Sequence, residues 1–104
     1  MILNKDDAVV TQDGVQLGVA RVVYHRDPTE VNPDLLLYGS YLEVENLDYG
    51  DNYFVPMDFV AAHDAGIHRL TLAVKFKQVL DRTWTRQPDF VAHGRAVVEH
   101  LIAP

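Results

Sequence analysis

His63, Asp64 and His68 are the residues whose types could hold a metal, since imidazole and carboxylate are both zinc ligands. Asp58 is the nearest third ligand in sequence. The spacing is H-D-x-x-x-H, not the H-E-x-x-H that places two imidazoles on one helical face, and Gly66 breaks the intervening stretch. A loop or surface role for these groups is the stronger expectation, and no cofactor is expected. Glu43, Glu45, Asp48 and Asp51 form an acidic cluster, with Glu43 and Glu45 on one strand face. Paired carboxylates do acid–base work only where their environments split their pKa values, and a solvated face explains this cluster as well. Ser40, the only serine, sits in "YGSY" without the G-x-S-x-G context of a nucleophile elbow. Gly14 and Gly18 have neither the Lys-Ser/Thr end of a Walker loop nor the dinucleotide spacing. The expectation is therefore a non-enzymatic protein.

Aromatic residues offer binding rather than catalysis. Tyr38, Tyr41, Tyr49 and Tyr53 crowd the middle third, and Phe90, Val97 and Leu101 lie along an apolar stripe near the end. Tyrosine suits an interface because it joins a large ring to a polar tip. These seven residues are the expected partner-binding surface, with ordinary core packing as the competing role. Few basic residues interleave with the central tyrosines, unlike a nucleic-acid surface. The net charge of −6 also disfavours direct contact with nucleic acid or anionic membrane. A module that contacts RNA or a ribonucleoprotein is the second reading, and a metal-binding or enzymatic protein using His63, Asp64 and His68 the third.

The elements that must position these residues are short. The chain has 104 residues, 48% of them hydrophobic, enough for one compact domain spanning 1–104. There is no cysteine, which excludes disulfides and thiolate chemistry. The first residues lack a secretory signal, no apolar run approaches a membrane span, and a cytoplasmic protein is expected. Residues 8–12 read as a strand, and Asp13-Gly14 as a two-residue hairpin turn. The following strand is kinked at Gly18, with Leu17, Ala20, Val22 and Tyr24 facing inward. Leu35 to Leu37 fit a strand or a helical turn equally. Tyr41–Glu45 alternates, Tyr53–Val55 is ended by Pro56, "MDFVAAHD" makes a helical turn, and Leu70, Leu72 and Val74 share one strand face. From residue 75 the spacing becomes helical. Helices are predicted over about 75–83, with Trp84 docking just beyond, and over about 88–102, with Pro88 in its first turn. In that last helix Gly94 permits close packing, and Arg95 and Glu99 form a surface pair four residues apart.

The order of "VVTQDGVQLGVARVV", "YLEVENL", "NYFVPMDFV" and "IHRLTLAV" resembles the PRC-barrel superfamily, especially its small bacterial members of unknown function. The matching positions are Asp13, Gly14, Gly18, Pro56 and Trp84, all fold-defining. The resemblance covers roughly residues 8–84, interrupted around 26–40. It implies a mainly β fold: a small, strongly bent antiparallel barrel of five or six strands over about 7–74, followed by one or two helices. Its better-known relatives, in the photosynthetic reaction-centre H subunit and a ribosomal RNA maturation factor, use the barrel as an interaction module. The resemblance therefore implies a protein-binding scaffold, expected to form a homodimer, with no catalytic residue to carry over.

Overall fold

A computed structural model describes residues 3–27, 38–48 and 50–103. The strands are β1 (Ala8–Val10), β2 (Gln16–Arg26), β3 (Ser40–Glu45), β4 (Tyr53–Pro56), β5 (Val60–Asp64), β6 (Arg69–Leu72) and β7 (Ala96–His100). Two short helices, α1 (Phe76–Asp81) and α2 (Asp89–Ala92), lie between β6 and β7. The strand order is β4-β3-β2-β1-β6-β5, and β7 also pairs with β2. All pairings are antiparallel except that of β1 with β6. The long β2 is the hub. It holds β3 along one side, with β1 and then β7 in tandem along the other. Among the described residues no helix is long and apolar enough to cross a membrane.

The expected barrel is not there. β4 and β5 end the strand path and do not pair with each other, so the sheet stays open. A 3-10 turn, Met57–Phe59, joins them where "MDFVAAHD" was expected to be one helical turn; the rest of that stretch is β5. The edge of β4 is blunted differently. The Phe54 amide donates to the Trp84 carbonyl at 2.6 Å, so main chain from beyond α1 occupies the side that barrel closure would need.

The first hairpin keeps its expected place but has a three-residue loop. Thr11 N–H donates to the Val15 carbonyl at 2.8 Å, and Gly14 takes φ +86° to close the turn. The Asp13 carboxylate accepts the Thr11 hydroxyl at 2.5 Å and the Phe76 amide at 3.1 Å. The Thr11 hydrogen bond is the main reason its pKa lies below the ordinary carboxylate value. The turn thus ties β1 to the start of α1.

β2 departs from simple alternation twice. One shift lies opposite Val9/Val10, beside Gly18, and a second lies between Ala20 and Val22. The extra residue at Arg21 turns the strand over by one position. Leu17, Ala20 and Val23 are therefore buried, while Val22 and Tyr24 face the other side, contrary to the expected inward set. Leu70, Leu72 and Val74 do enter the core, with Leu42, Val44, Val55, Val79 and Trp84.

Helix α1 forms where the spacing placed it, but the last helix stops after one turn. Gly94 adopts φ +69°, its amide reaches the Val91 carbonyl at 3.1 Å, and the Arg95 amide reaches Phe90 at 2.9 Å. This Schellman closure makes Gly94 a stop signal rather than a packing gap. Beyond it the β-branched Val97 and Val98 pair with β2, so residues 96–100 are strand, not helix. α1 closes in the same way, but with Thr83 at φ +54° in the position that favours glycine. Thr83→Gly should raise stability by about 0.5–1 kcal/mol, because relief of the left-handed strain exceeds the added unfolded-state entropy. A thermal melt checks this, and an unchanged or lower midpoint would show the threonine to be unstrained.

Candidate functional site

The outer face of β2, β3 and β4 carries an aromatic cluster that joins the main core through Phe59 and Trp84. Tyr24 and Phe54 rings lie 6.4 Å apart, and Tyr41 and Phe90 5.9 Å apart. α2 exists to deliver Phe90, its one buried side chain, onto this face. Tyr38 stands edge-on to Tyr41 at 6.2 Å and to Phe59 at 5.6 Å, and Phe59 packs on Trp84 at 4.9 Å. Between these rings and the 82–90 segment runs a cleft of about 490 Å³.

Three arginines, Arg26, Arg82 and Arg86, line the cleft against one carboxylate, Asp89. Their roles differ. Arg26 stacks its guanidinium 4.2 Å over the Phe90 ring and donates from Nε to the Tyr38 carbonyl at 3.1 Å, so it braces the wall. Arg82 lies over the rings of Phe59, at 5.0 Å, and Trp84, at 5.6 Å. Its N–H groups have no hydrogen-bond partner among the described residues. The Arg86 side chain has no partner among them either. Burial raises the pKa of the Tyr41 phenol, and nearby Arg26 partly opposes that rise. The Tyr41 hydroxyl therefore stays a neutral donor. Guanidiniums without hydrogen-bond partners beside an aromatic wall can grip a carboxylate or phosphate bidentately.

Of the residues expected at a partner surface, Tyr38, Tyr41 and Phe90 come together here. Tyr53 and Leu101 are buried in the main core instead, and Tyr49 lies outside the described residues, as do Leu35 to Leu37. Val97 is exposed on β7 and does not line the cleft. The arginines were missed because they come from segments flanking the central tyrosines. The signal for two of them was the basic–aromatic run "RTWTRQP" at 82–88.

The other constellations separate. His63 and His68 converge not on Asp64 or Asp58 but on Asp7, whose side chain is 1% exposed. His63 Nε2 lies 2.7 Å from one carboxylate oxygen, and His68 Nδ1 3.4 Å from the other. Asp64 accepts the Gly66 amide at 3.0 Å and shapes the turn. No three His, Asp or Glu groups among the described residues are arranged to share a metal ion. Glu43 approaches the Tyr24 hydroxyl at 3.5 Å and Glu45 pairs with Arg21 at 3.1 Å, so that acidic pair is split between partners. Ser40 meets His25 Nδ1 at 2.7 Å, and His25 Nε2 meets Glu99 at 2.8 Å, a polar row across β3, β2 and β7. Its ends are open to water, with Glu99 59% exposed, and the row ties three strands together.

No family model matches the chain, and no curated protein or solved structure matches it either. The PRC-barrel resemblance is thereby overturned on two counts: no family supports it, and the sheet does not close. Asp13, Gly14, Gly18, Pro56 and Trp84 keep structural roles in an open, mainly antiparallel sheet.

Proposed function

We propose that the chain is a non-catalytic binding module whose cleft takes an acidic, aromatic-bearing segment of a partner protein. One observation carries this reading: a positive, ring-walled cleft on a chain whose net charge is −6. Evenly spread, the 9 basic and 15 acidic residues would make any patch acidic on average. Arginine and large aromatics are also the side chains that dominate binding energy at protein interfaces. The occupant's carboxylates meet Arg82 and Arg86, and its ring lies on the wall formed by Trp84, Phe54 and Tyr41.

Trp84 is the only tryptophan and lines the cleft, so its fluorescence reports occupancy. Titration with the peptide Glu-Glu-Tyr-Glu-Glu should change that emission and saturate in the micromolar range at low salt. Rising ionic strength should weaken the response. The double variant Arg82→Ala/Arg86→Ala should weaken binding at least ~10-fold, since charge-assisted hydrogen bonds contribute ~1.5–3 kcal/mol each. No fluorescence change at millimolar peptide, or equal affinity in the double variant, overturns the proposal. Arginines among stacking rings also favour a second reading, single-stranded RNA. An oligouridine titration separates the two, and the acidic remainder of the surface opposes this reading.

A further inference from the structure

Among the described residues β7 is an edge without the usual protection. Ala96–His100 pairs continuously with β2, from Val22↔His100 to Arg26↔Ala96, and its other side meets no strand among the described residues. Natural edges are blunted by proline, lysine or a bulge. β7 has none of these: its sequence is AVVEH and its register is unbroken. It also exposes apolar side chains on both faces. Val97, opposite His25, is 54% exposed, and Val98, opposite Tyr24, is 43% exposed. Ile102, two residues past the strand, is 79% exposed. Backbone donors and acceptors that meet no strand among the described residues, flanked by valines, fit another β-strand.

The sequence of the strand itself selects that partner. Two antiparallel copies related by a twofold axis perpendicular to the sheet pair residues of the same parity, so each register is centred on one residue. A register centred on Glu99 would oppose two carboxylates. One centred on Val98 would set Val97 against a carboxylate. Centred on Val97, the pairing sets Val97 against Val97, Ala96 against Val98, and Arg95, which also contacts His93 of its own chain at 3.5 Å, against Glu99 at both ends. Only this last register combines apolar contact with two opposite-charge pairs. We propose that β7 pairs antiparallel with β7 of a second copy in the register centred on Val97, making one continuous sheet through the dimer. The interface is small, so its affinity belongs in the micromolar range. It is distinct from the arginine cleft and stands whether or not the cleft binds an acidic segment.

Sedimentation velocity of the full chain, from low micromolar to near-millimolar concentration, tests the proposal with a charge swap. The wild-type chain should pass from monomer to dimer over that range. Arg95→Glu and Glu99→Arg should each weaken dimerisation at least tenfold by placing like charges opposite one another. The double variant Arg95→Glu/Glu99→Arg should restore it. Val97→Lys should abolish it by setting two cations on the axis. His25→Asn removes the Glu99 contact within one chain and should leave the dimer intact, which separates that loss from the intermolecular one. Circular dichroism and melting confirm that each variant is folded. A wild-type monomer at all concentrations overturns the proposal. So does a dimer indifferent to Val97→Lys, or a double swap no better than its single variants.

Discussion

Gly18→Val should be the most damaging glycine substitution in this chain, lowering stability by at least ~3 kcal/mol or preventing folding. Two independent penalties act at this position. The residue has φ +155°, a backbone conformation that side-chain-bearing residues rarely adopt. A Cβ at this position would also collide with the carbonyl oxygen of Glu45 on β3. That oxygen belongs to main chain in the β2–β3 pair, so nothing flexible can move aside. Gly14 supplies the contrast. It has φ +86°, but a Cβ there would meet nothing within 4 Å. Gly14→Ala should therefore carry the conformational penalty alone, ~1 kcal/mol. Urea denaturation of both variants gives the comparison. Gly18→Val within ~1 kcal/mol of wild type would mean that β2 and β3 can separate at this point without cost.

The same glycine shows how far the sequence could be read. "DGVQLG" announced a turn and a bent strand, and both are present, because those signals are local properties of Gly14 and Gly18. The alternation of Leu70, Leu72 and Val74 was equally legible, since each residue carries its own preference for the core. The second bulge, at Arg21, was not legible. Arginine has no special backbone preference, and the extra residue is fixed only by the register that β3 imposes. The last element failed for a different reason. A helical stripe from Phe90 to Leu101 is as consistent with the spacing as one helical turn, a glycine stop and a strand. Only the pairing of β7 with β2 decides between them. Closure of the sheet depended on what covers β4, and Trp84 does so with its carbonyl, an atom that every residue possesses. The candidate site was the least legible part. Its residues come from positions 26, 38–41, 54 and 82–90; the run at 82–90 holds Arg82, Trp84, Arg86 and Phe90, but nothing in the sequence joins it to Tyr38, Tyr41 and Phe54 on the other wall.

The pair that joins Asp7 to His63 should cost the most of any polar contact to break. Asp7 is fully buried just before β1, and His63 on β5 has only 9% of its side chain exposed. The two are 56 positions apart in sequence and meet at 2.7 Å. The Asp7 oxygen facing His63 also accepts the Asn4 amide at 3.3 Å, whereas its other oxygen has no hydrogen-bond partner among the described residues. His63→Ala strips the buried Asp7 side chain of its closest partner, which should lower stability by ~1–3 kcal/mol. His68→Ala should cost under ~1 kcal/mol, because that imidazole is 54% exposed and 3.4 Å away, so water can replace it. Asp7→Leu combined with His63→Leu removes both polar groups together and should be milder than His63→Ala alone, since neither partner is then left buried without the other. Urea midpoints for these variants, completed by the two remaining single leucine substitutions, form a double-mutant cycle. Strong non-additivity is the expected result. Additive losses would show that Asp7 is held by its backbone surroundings, and that His63 contributes packing rather than a hydrogen bond.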